Sequence, residues 1–403
     1  MKFHNLSPFP ALAFEGIDQH DQEFHVVVMR ATYDLTPNTE LQPAEEQQPL
    51  AVNDEYFGEM NKSSVRQESD LVQYKPKCDV IVIGSAYAPG SDSAPCFEVG
   101  IRITGTVTLD KKLSIYGPRF WEKRNSGWTL TEPAPIVSLP LQYEFAYGGE
   151  NRINREDPAA SQVEVEYHLT PDQRQQHPDG PEQAPLAHTA YNENPVGIGF
   201  AEKWYLDATQ TTRLPAPQIE SPEDPIKEFG KQYVPQSLGV ITKAWLPRRK
   251  LGGTADEEFA KSERCLPEDF DFAFWNGAHP DMQRHWLKGG ERVELKNLFP
   301  TGTAGTTTDK DGDTVFDFVV PEEKPYLFVK FEEGGIVLCD LKIDTVLIDT
   351  NNNKVTLTYR TVLWKEPEID SLAAKVLSKE DQAVIDEWLS RRDAPVVEEV
   401  QRG

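Results

Sequence analysis

The chain has 403 residues, with 41 Lys plus Arg against 66 Asp plus Glu, a net charge of −25 at pH 7. That sign argues against nucleic acid, whose phosphates must be neutralised by Lys and Arg, and against anionic membranes. With 38% hydrophobic and 10% aromatic residues the composition excludes disorder and suffices for about two to three domains, or for one large all-β unit.

At the N-terminus Pro8, Pro10 and Glu15 interrupt the apolar residues, so no secretory leader is expected. No run approaches the ~18 apolar residues of a membrane helix. The longest, residues 26–29 and 80–83, are strand-sized. A cytoplasmic protein is the expectation. Cys78, Cys96, Cys265 and Cys339 are scattered with no CxxC spacing. That predicts reduced, mostly buried thiols rather than a disulfide framework or a zinc site.

The N-terminal half reads as β-structure. Residues 24–35 are β-branched and aromatic and stop before Pro37. Residues 78–86 are nearly all apolar, which predicts a strand buried on both faces. Across 99–115, Val99, Ile101, Ile103, Val107, Leu109, Leu113 and Ile115 hold odd positions, while Arg102, Thr104, Thr106, Thr108, Asp110, Lys112 and Ser114 hold even ones. Side chains of a strand alternate faces, so one face is dry and one wet. A turn around Asp110 and Lys111 would fold the stretch into a hairpin. Residues 150–194 are polar and proline-rich and read as a long acidic surface excursion. Residues 214–236 form a second proline-rich stretch, expected to connect an N-terminal part, 1–213, to a C-terminal part, 237–364. Short strands return at 315–320, 326–331, 336–343, 345–348 and 355–363, the last two flanking an Asp-Thr-Asn-Asn-Asn turn. In the tail, 365–403, Leu372, Val376 and Leu377 share a helical stripe, and Val384, Ile385, Trp388 and Leu389 share another. Ser378 would cap the second helix, with Glu380 and Asp381 in its first turn. The fold expected is mainly β, a large antiparallel architecture of sandwich- or barrel-like sub-domains with long Pro-rich loops and a short helical C-terminal tail.

Chemistry-bearing constellations are few. His279, Asp281 and His285 lack zincin spacing, and Pro280 separates the first two, which favours a solvated loop or helix start. Asp309, Asp311 and Asp313 resemble a calcium loop, but Gly312 precedes the third acid, so a hairpin turn is the better reading. Gly148-Gly149 and Gly197-x-Gly199 follow no strand-to-helix pattern and lack a phosphate-loop lysine, which points to turns or close backbone approach. Asp70, Lys75 and Asp79 alternate charge around Pro76, as a buried ion-pair network would; a catalytic Lys75 is the alternative. Arg119 beside Trp121, and Trp245 beside Arg248, fit either interface anchoring or structural cation–π packing.

Taken in order, SDLVQYKPKCDVIVIGSAYAP (69–89), IYGPRFW (115–121), PLQYEFAYGGEN (140–151), NPVGIGF (194–200), LPAPQIE (214–220), AWLPRRKLGGTADEEF (244–259), LPEDFDFAFWNGAHPDMQ (266–283) and LKGGERVELKNLFP (287–300) resemble the bacterial family named domain of unknown function 2169. The resemblance spans roughly residues 3–363. It implies a non-enzymatic, cofactor-free adaptor or chaperone of the type VI secretion system, which binds an effector and loads it onto the VgrG spike with its PAAR tip. It maps the family pattern onto Asp70, Lys75, Asp79, Arg119, Trp121, Asn194, Trp245 and Arg248, the candidate partner-binding or motif residues. The chain departs from the pattern at His279, where a small apolar residue or proline is usual, and at Tyr116-Gly117-Pro118, where an acid often precedes the arginine, so a charge pair is expected to be missing there. A structural part of the secretion apparatus, or a hydrolase using Asp70, Lys75, Asp79 and Arg119, are the alternatives.

Overall fold

The computed structural model describes residues 1–378 and residue 381. Its principal strands are β1 (Lys2–Asn5), β2 (Ala11–Ile17), β3 (Glu23–Asp34), β4 (Cys78–Ile83), β5 (Cys96–Thr104), β6 (Leu109–Tyr116), β7 (Glu150–Ile153), β8 (Ala187–Ala190), β9 (Ile219–Glu220), β10 (Gln283–Arg284), β11 (Arg292–Lys296), β12 (Thr307–Thr308), β13 (Thr314–Val319), β14 (Pro325–Phe331), β15 (Ile336–Asp340), β16 (Lys342–Asp349), β17 (Lys354–Trp364) and β18 (Ile369–Val376).

Three sheets carry the core. The first has the order β2-β3-β17-β16-β4-β10, with Gln42–Pro43 added beside β3. Its one parallel pair is β4 with β16, and the rest are antiparallel. The second runs β9-β6-β5-β11-β13-β12, antiparallel throughout. The third runs β1-β18-β14-β15, with β1 parallel to β18. The fold is therefore mainly β and dominated by antiparallel pairs, and among the described residues no sheet closes into a barrel. Strands from both sides of residues 214–236 interleave in the first two sheets, and β9 within that stretch is the edge partner of β6. No described helix is long and apolar enough to cross a membrane.

One hydrophobic core joins the three sheets: Val27, Met29 and Tyr33 from the first, Ile101, Leu113 and Phe318 from the second, Leu327 and Leu372 from the third. Alternation explains the division of labour within β3 and β17. Val27, Met29, Ala31 and Tyr33 face this core with Val355, Leu357 and Tyr359. Arg30 and Thr32, with Thr356, Thr358 and Arg360, occupy the opposite face, yet all are buried. A polar face can be sealed only if its groups are bonded.

Several local expectations change. The β5–β6 turn falls at residues 105–108, before Asp110, and Ile103 pairs with Leu109. Gly105 adopts φ +134° there, and Lys111 continues the strand on the dry face. The 78–86 run ends as β4 at Ile83 and resumes at Ser85 after Gly84. The 336–343 run splits at Leu341 between two different sheets. The excursion 150–194 is not loop alone. Its base is zipped by β7 and β8, and Ile153, Val163 and Ala187 build a small core with Trp204 and Ala208. The first tail helix is replaced by β18: Leu372 and Ala374 are buried on one face, because β1 and β14 on either side bond its backbone. Tertiary pairing there overrides a helical stripe. Ser378 Oγ accepts from the Asp381 N–H at 3.1 Å, as an N-cap would. The second helical stripe, from Val384 onward, lies outside the described residues.

Candidate functional site

The eight motif residues settle into four buried sites. In the first, Asp79 is the second residue of β4 and has no exposed surface. Its carboxylate accepts from Lys75 Nζ at 2.9 Å, Asn276 Nδ2 at 3.1 Å, and the backbone N–H groups of Gly277 at 2.9 Å and Ala278 at 3.2 Å. Lys75 also donates to Thr345 Oγ1 at 2.9 Å. Burial alone would pull the Lys75 ammonium down, but Asp79 and then Asp344 outweigh it and raise its pKa above the ordinary lysine value. Asp70, seated on the polar face of β3 and β17, accepts from Arg30 and from Ala51 N–H, each at 2.8 Å, and from Thr358 Oγ1 at 3.0 Å. Arg360 clamps the backbone carbonyls of Asp70 and Val72 and pairs with Asp344. Together these bonds pin the 44–77 segment over the sheet and seal its polar face. Arg30, Asp70, Lys75, Thr345, Thr358 and Arg360 line a cavity of about 20 Å³, room for a water but not for an organic substrate.

The second site is separate. Arg119 donates to Glu220 at 2.6 Å and to the Pro217 carbonyl at 2.9 Å, and lies 3.9 Å over the Tyr116 ring. Glu220 also receives the Ile226 N–H. With no acid in the Tyr116-Gly117-Pro118 turn, the arginine pairs instead with a residue 101 positions away. Trp121 beside it packs edge-on against Phe229 in a cluster with Tyr147, Tyr191, Ala216 and Tyr233. This is how the proline-rich 214–236 stretch is held.

In the third site Asn194 Nδ2 bridges the carbonyls of Tyr143 and Tyr147, while its own carbonyl receives Gly149 N–H. Gly148 has φ +152°, and a Cβ there would sit 2.1 Å from the Asn194 oxygen. Close backbone approach is thus the reason for the paired glycines. In the fourth, Arg248 spends its guanidinium on Glu68 and on the Ile241 and Phe274 carbonyls. Trp245 caps the same short helix and meets Tyr143 edge-on at 5.3 Å. Both arginine–tryptophan motifs are thus packed inside the molecule, not displayed on its surface.

Asp70, Lys75 and Asp79 share one polar layer, as their alternation predicted; Arg119 is bonded to none of it. Sequence reading missed the partners Arg30, Arg360, Asp344, Glu68 and Glu220. Arg30 and Arg360 did leave a signal, since each interrupts an apolar strand run where a charge needs a buried counter-charge. His279 is buried and caps a turn through Asp281 N–H. Burial, with Lys111 nearby, pushes its pKa down to about 4. The described residues hold no group of three or more His, Cys, Asp or Glu arranged for a metal ion. Asp309 accepts from the N–H groups of Asp311 and Asp313, which makes the predicted turn between β12 and β13.

Fold and sites together define a class: a mainly antiparallel β protein whose long loops are fastened to its sheets by buried ion pairs. The family profile described as "Uncharacterized protein conserved in bacteria (DUF2169)" matches residues 20–360, and the chain belongs to that family. No curated protein and no solved structure matches it.

Proposed function

We propose that this protein is a non-enzymatic adaptor of a type VI secretion system, one that holds an effector and presents it to the VgrG–PAAR spike. The observation that carries the reading is where the motif residues lie. All eight are buried, and the charged ones among them spend their groups on partners within the chain, so the motifs maintain a scaffold, and recognition is left to the rest of the surface. A hydrolase would need Asp70, Lys75, Asp79 and Arg119 around one open cleft. Instead Arg119 belongs to the Glu220 site, Asp79 is fully buried among its own donors, and of the four only Asp70 and Lys75 line a cavity of about 20 Å³.

The excursion 150–194 is the favoured contact region. It carries nine carboxylates against three arginines. It also exposes Val165 and Tyr167, which alternate with Glu164 and Glu166. Acid around an apolar knob suits a basic partner segment. Affinity purification of the tagged protein from its host, with mass spectrometry, tests the proposal. Recovery of one PAAR-bearing or PAAR-associated effector, with or without VgrG, is expected. Recovery of nothing from cells expressing the secretion genes counts against it. Deletion separates the adaptor from a structural component: loss of an adaptor stops one cargo, and loss of a structural part stops all secretion.

A further inference from the structure

The three core sheets end in six edge strands, of which β2 is the longest. β9, β10 and β12 have two residues each, β1 four and β15 five, whereas β2 has seven and ends the first sheet. An open edge is a template for another strand, and proteins ordinarily blunt it with a lysine, a proline or a bulge. β2, with the sequence Ala-Leu-Ala-Phe-Glu-Gly-Ile, holds none of these. Its register against β3 runs without a shift from Ala11 opposite Met29 to Ile17 opposite Glu23. Its one charged residue, Glu15, is tied to Lys365 at 3.0 Å.

The phase of the ladder decides which groups are left over. The Arg30 N–H donates to the Pro10 carbonyl at 2.9 Å, and the Asp18 N–H to the Gln22 carbonyl at 3.1 Å. Opposed residues of an antiparallel pair alternate between bonded and unbonded, so Leu12, Phe14 and Gly16 spend their backbone groups on β3. The N–H and C=O groups of Ala11, Ala13, Glu15 and Ile17 point off the sheet, and no described residue bonds them. Ala11 and Ala13 turn their side chains to the core. On the other face Leu12 is 41% exposed and Phe14 half-buried. A strand laid along this edge would gain backbone bonds and cover Leu12 and Phe14 together.

Charge selects the occupant. The far end of β2 and its turn carry Glu15, Asp18, Asp21 and Glu23, with Lys365 as the cation bonded to the first and last of them. The near end, residues 7–10, is uncharged. Four carboxylates against one ammonium, on a chain of net charge −25, disfavour a second copy and favour a basic partner. We propose that β2 is a docking edge for an extended partner segment that is apolar at alternate positions and carries Lys or Arg at its N-terminal end. The segment pairs antiparallel to β2, so its basic end meets Glu15 and the 18–23 turn. Antiparallel pairing is the direction β2 already uses with β3, and it is the stronger per residue. The edge is open whether or not the adaptor reading holds.

The peptide acetyl-Lys-Lys-Val-Thr-Val-Thr-Val, with a C-terminal fluorophore, tests this against the full-length protein by fluorescence anisotropy. Saturable binding with a Kd below about 1 mM is expected. The same peptide with Glu-Glu in place of Lys-Lys should bind at least about tenfold more weakly. Ala13→Pro removes one outward N–H and sets its ring there, yet leaves the β2–β3 ladder whole. It should weaken binding at least about tenfold while the urea midpoint barely moves. Leu338→Pro blocks the open edge of β15 in the same way, since the Leu341 N–H donates to Pro325 and Leu338 therefore faces out; it should bind as wild type does. Hydrogen exchange on wild type, read by NMR, does not depend on any variant folding: saturating peptide should slow the Ala11, Ala13, Glu15 and Ile17 amides. No saturation up to about 1 mM overturns the docking edge. So does a Glu-Glu peptide that binds equally well, a folded Ala13→Pro protein that binds as wild type, a Leu338→Pro protein that loses binding, or protection that misses these four amides.

Discussion

Replacing Asp79 by Asn should be far more damaging than replacing its partner Lys75 by Met. Asp79 is fully buried and accepts four bonds, from Lys75, Asn276, Gly277 N–H and Ala278 N–H. An Asn side chain keeps the shape but turns an NH2 toward one or more of these donors. It also leaves the Lys75 ammonium buried with Thr345 Oγ1 as its remaining direct bond. Removing one partner of a buried pair in this way costs about 3–5 kcal/mol. Lys75→Met is different, because the carboxylate it abandons still receives three N–H bonds. The loss is then one charge-assisted hydrogen bond, about 1.5–3 kcal/mol. The double variant removes both charges and should cost less than the sum of the singles. Urea unfolding at neutral pH, followed by tryptophan fluorescence and far-UV circular dichroism, measures all three. A cost for Asp79→Asn below about 1 kcal/mol would refute the account of this site, as would Lys75→Met proving the worse of the two.

Two further outcomes follow from the same structure. Gly148→Ala should destabilise by about 2–5 kcal/mol, since its Cβ would lie 2.1 Å from the Asn194 oxygen at φ +152°. Gly312→Ala should cost only about 1–2 kcal/mol, because its φ of +88° is unfavourable but the space is open; comparable urea midpoints for the two would undo the close-approach argument. Stability should also fall with acid through His279. Its folded pKa, about 4, lies below the 6.5 of the free ring. The unfolded chain therefore binds the proton first. The contribution is complete above pH 6.5 and is lost as pH falls to about 4, amounting to about 3 kcal/mol. His279→Asn keeps a capping oxygen without titrating, so urea midpoints against pH should show a shallower decline for it; an unchanged slope contradicts the assignment.

How much was legible beforehand differs by element. β3, β5, β6 and β17 were readable because alternation and β-branching are local; burial follows the alternation in β5 and β6, whereas β3 and β17 are buried on both faces. The Asp70–Lys75–Asp79 layer was half readable: alternating charges before an apolar strand announced buried pairs, but Arg30, Asp344, Thr345, Thr358 and Arg360 come from strands far along the chain. β18 was misread because Leu372, Val376 and Leu377 satisfy a helical stripe, and nothing local reports that β1 and β14 flank it. Lys111 read as a turn residue and is a buried strand residue, its ammonium reaching Gln236 at 2.6 Å and Asp281 at 2.8 Å.

By itself, the sequence determined a strongly acidic, mainly β chain of the DUF2169 family, with two proline-rich stretches and an Asp70–Lys75–Asp79 alternation that favours buried pairing. Those properties reside in composition, alternation and short spacings, which each segment carries alone. The tertiary structure decided which polar groups meet: Arg119 with Glu220, Arg248 with Glu68, and His188 with both His177 and Glu150. It also decided that 214–236 is woven into a sheet through β9. The reason is that burial makes an unpaired charge costly wherever it lies in the chain, so partners are chosen by the sheets that bring them together and not by their distance along the sequence.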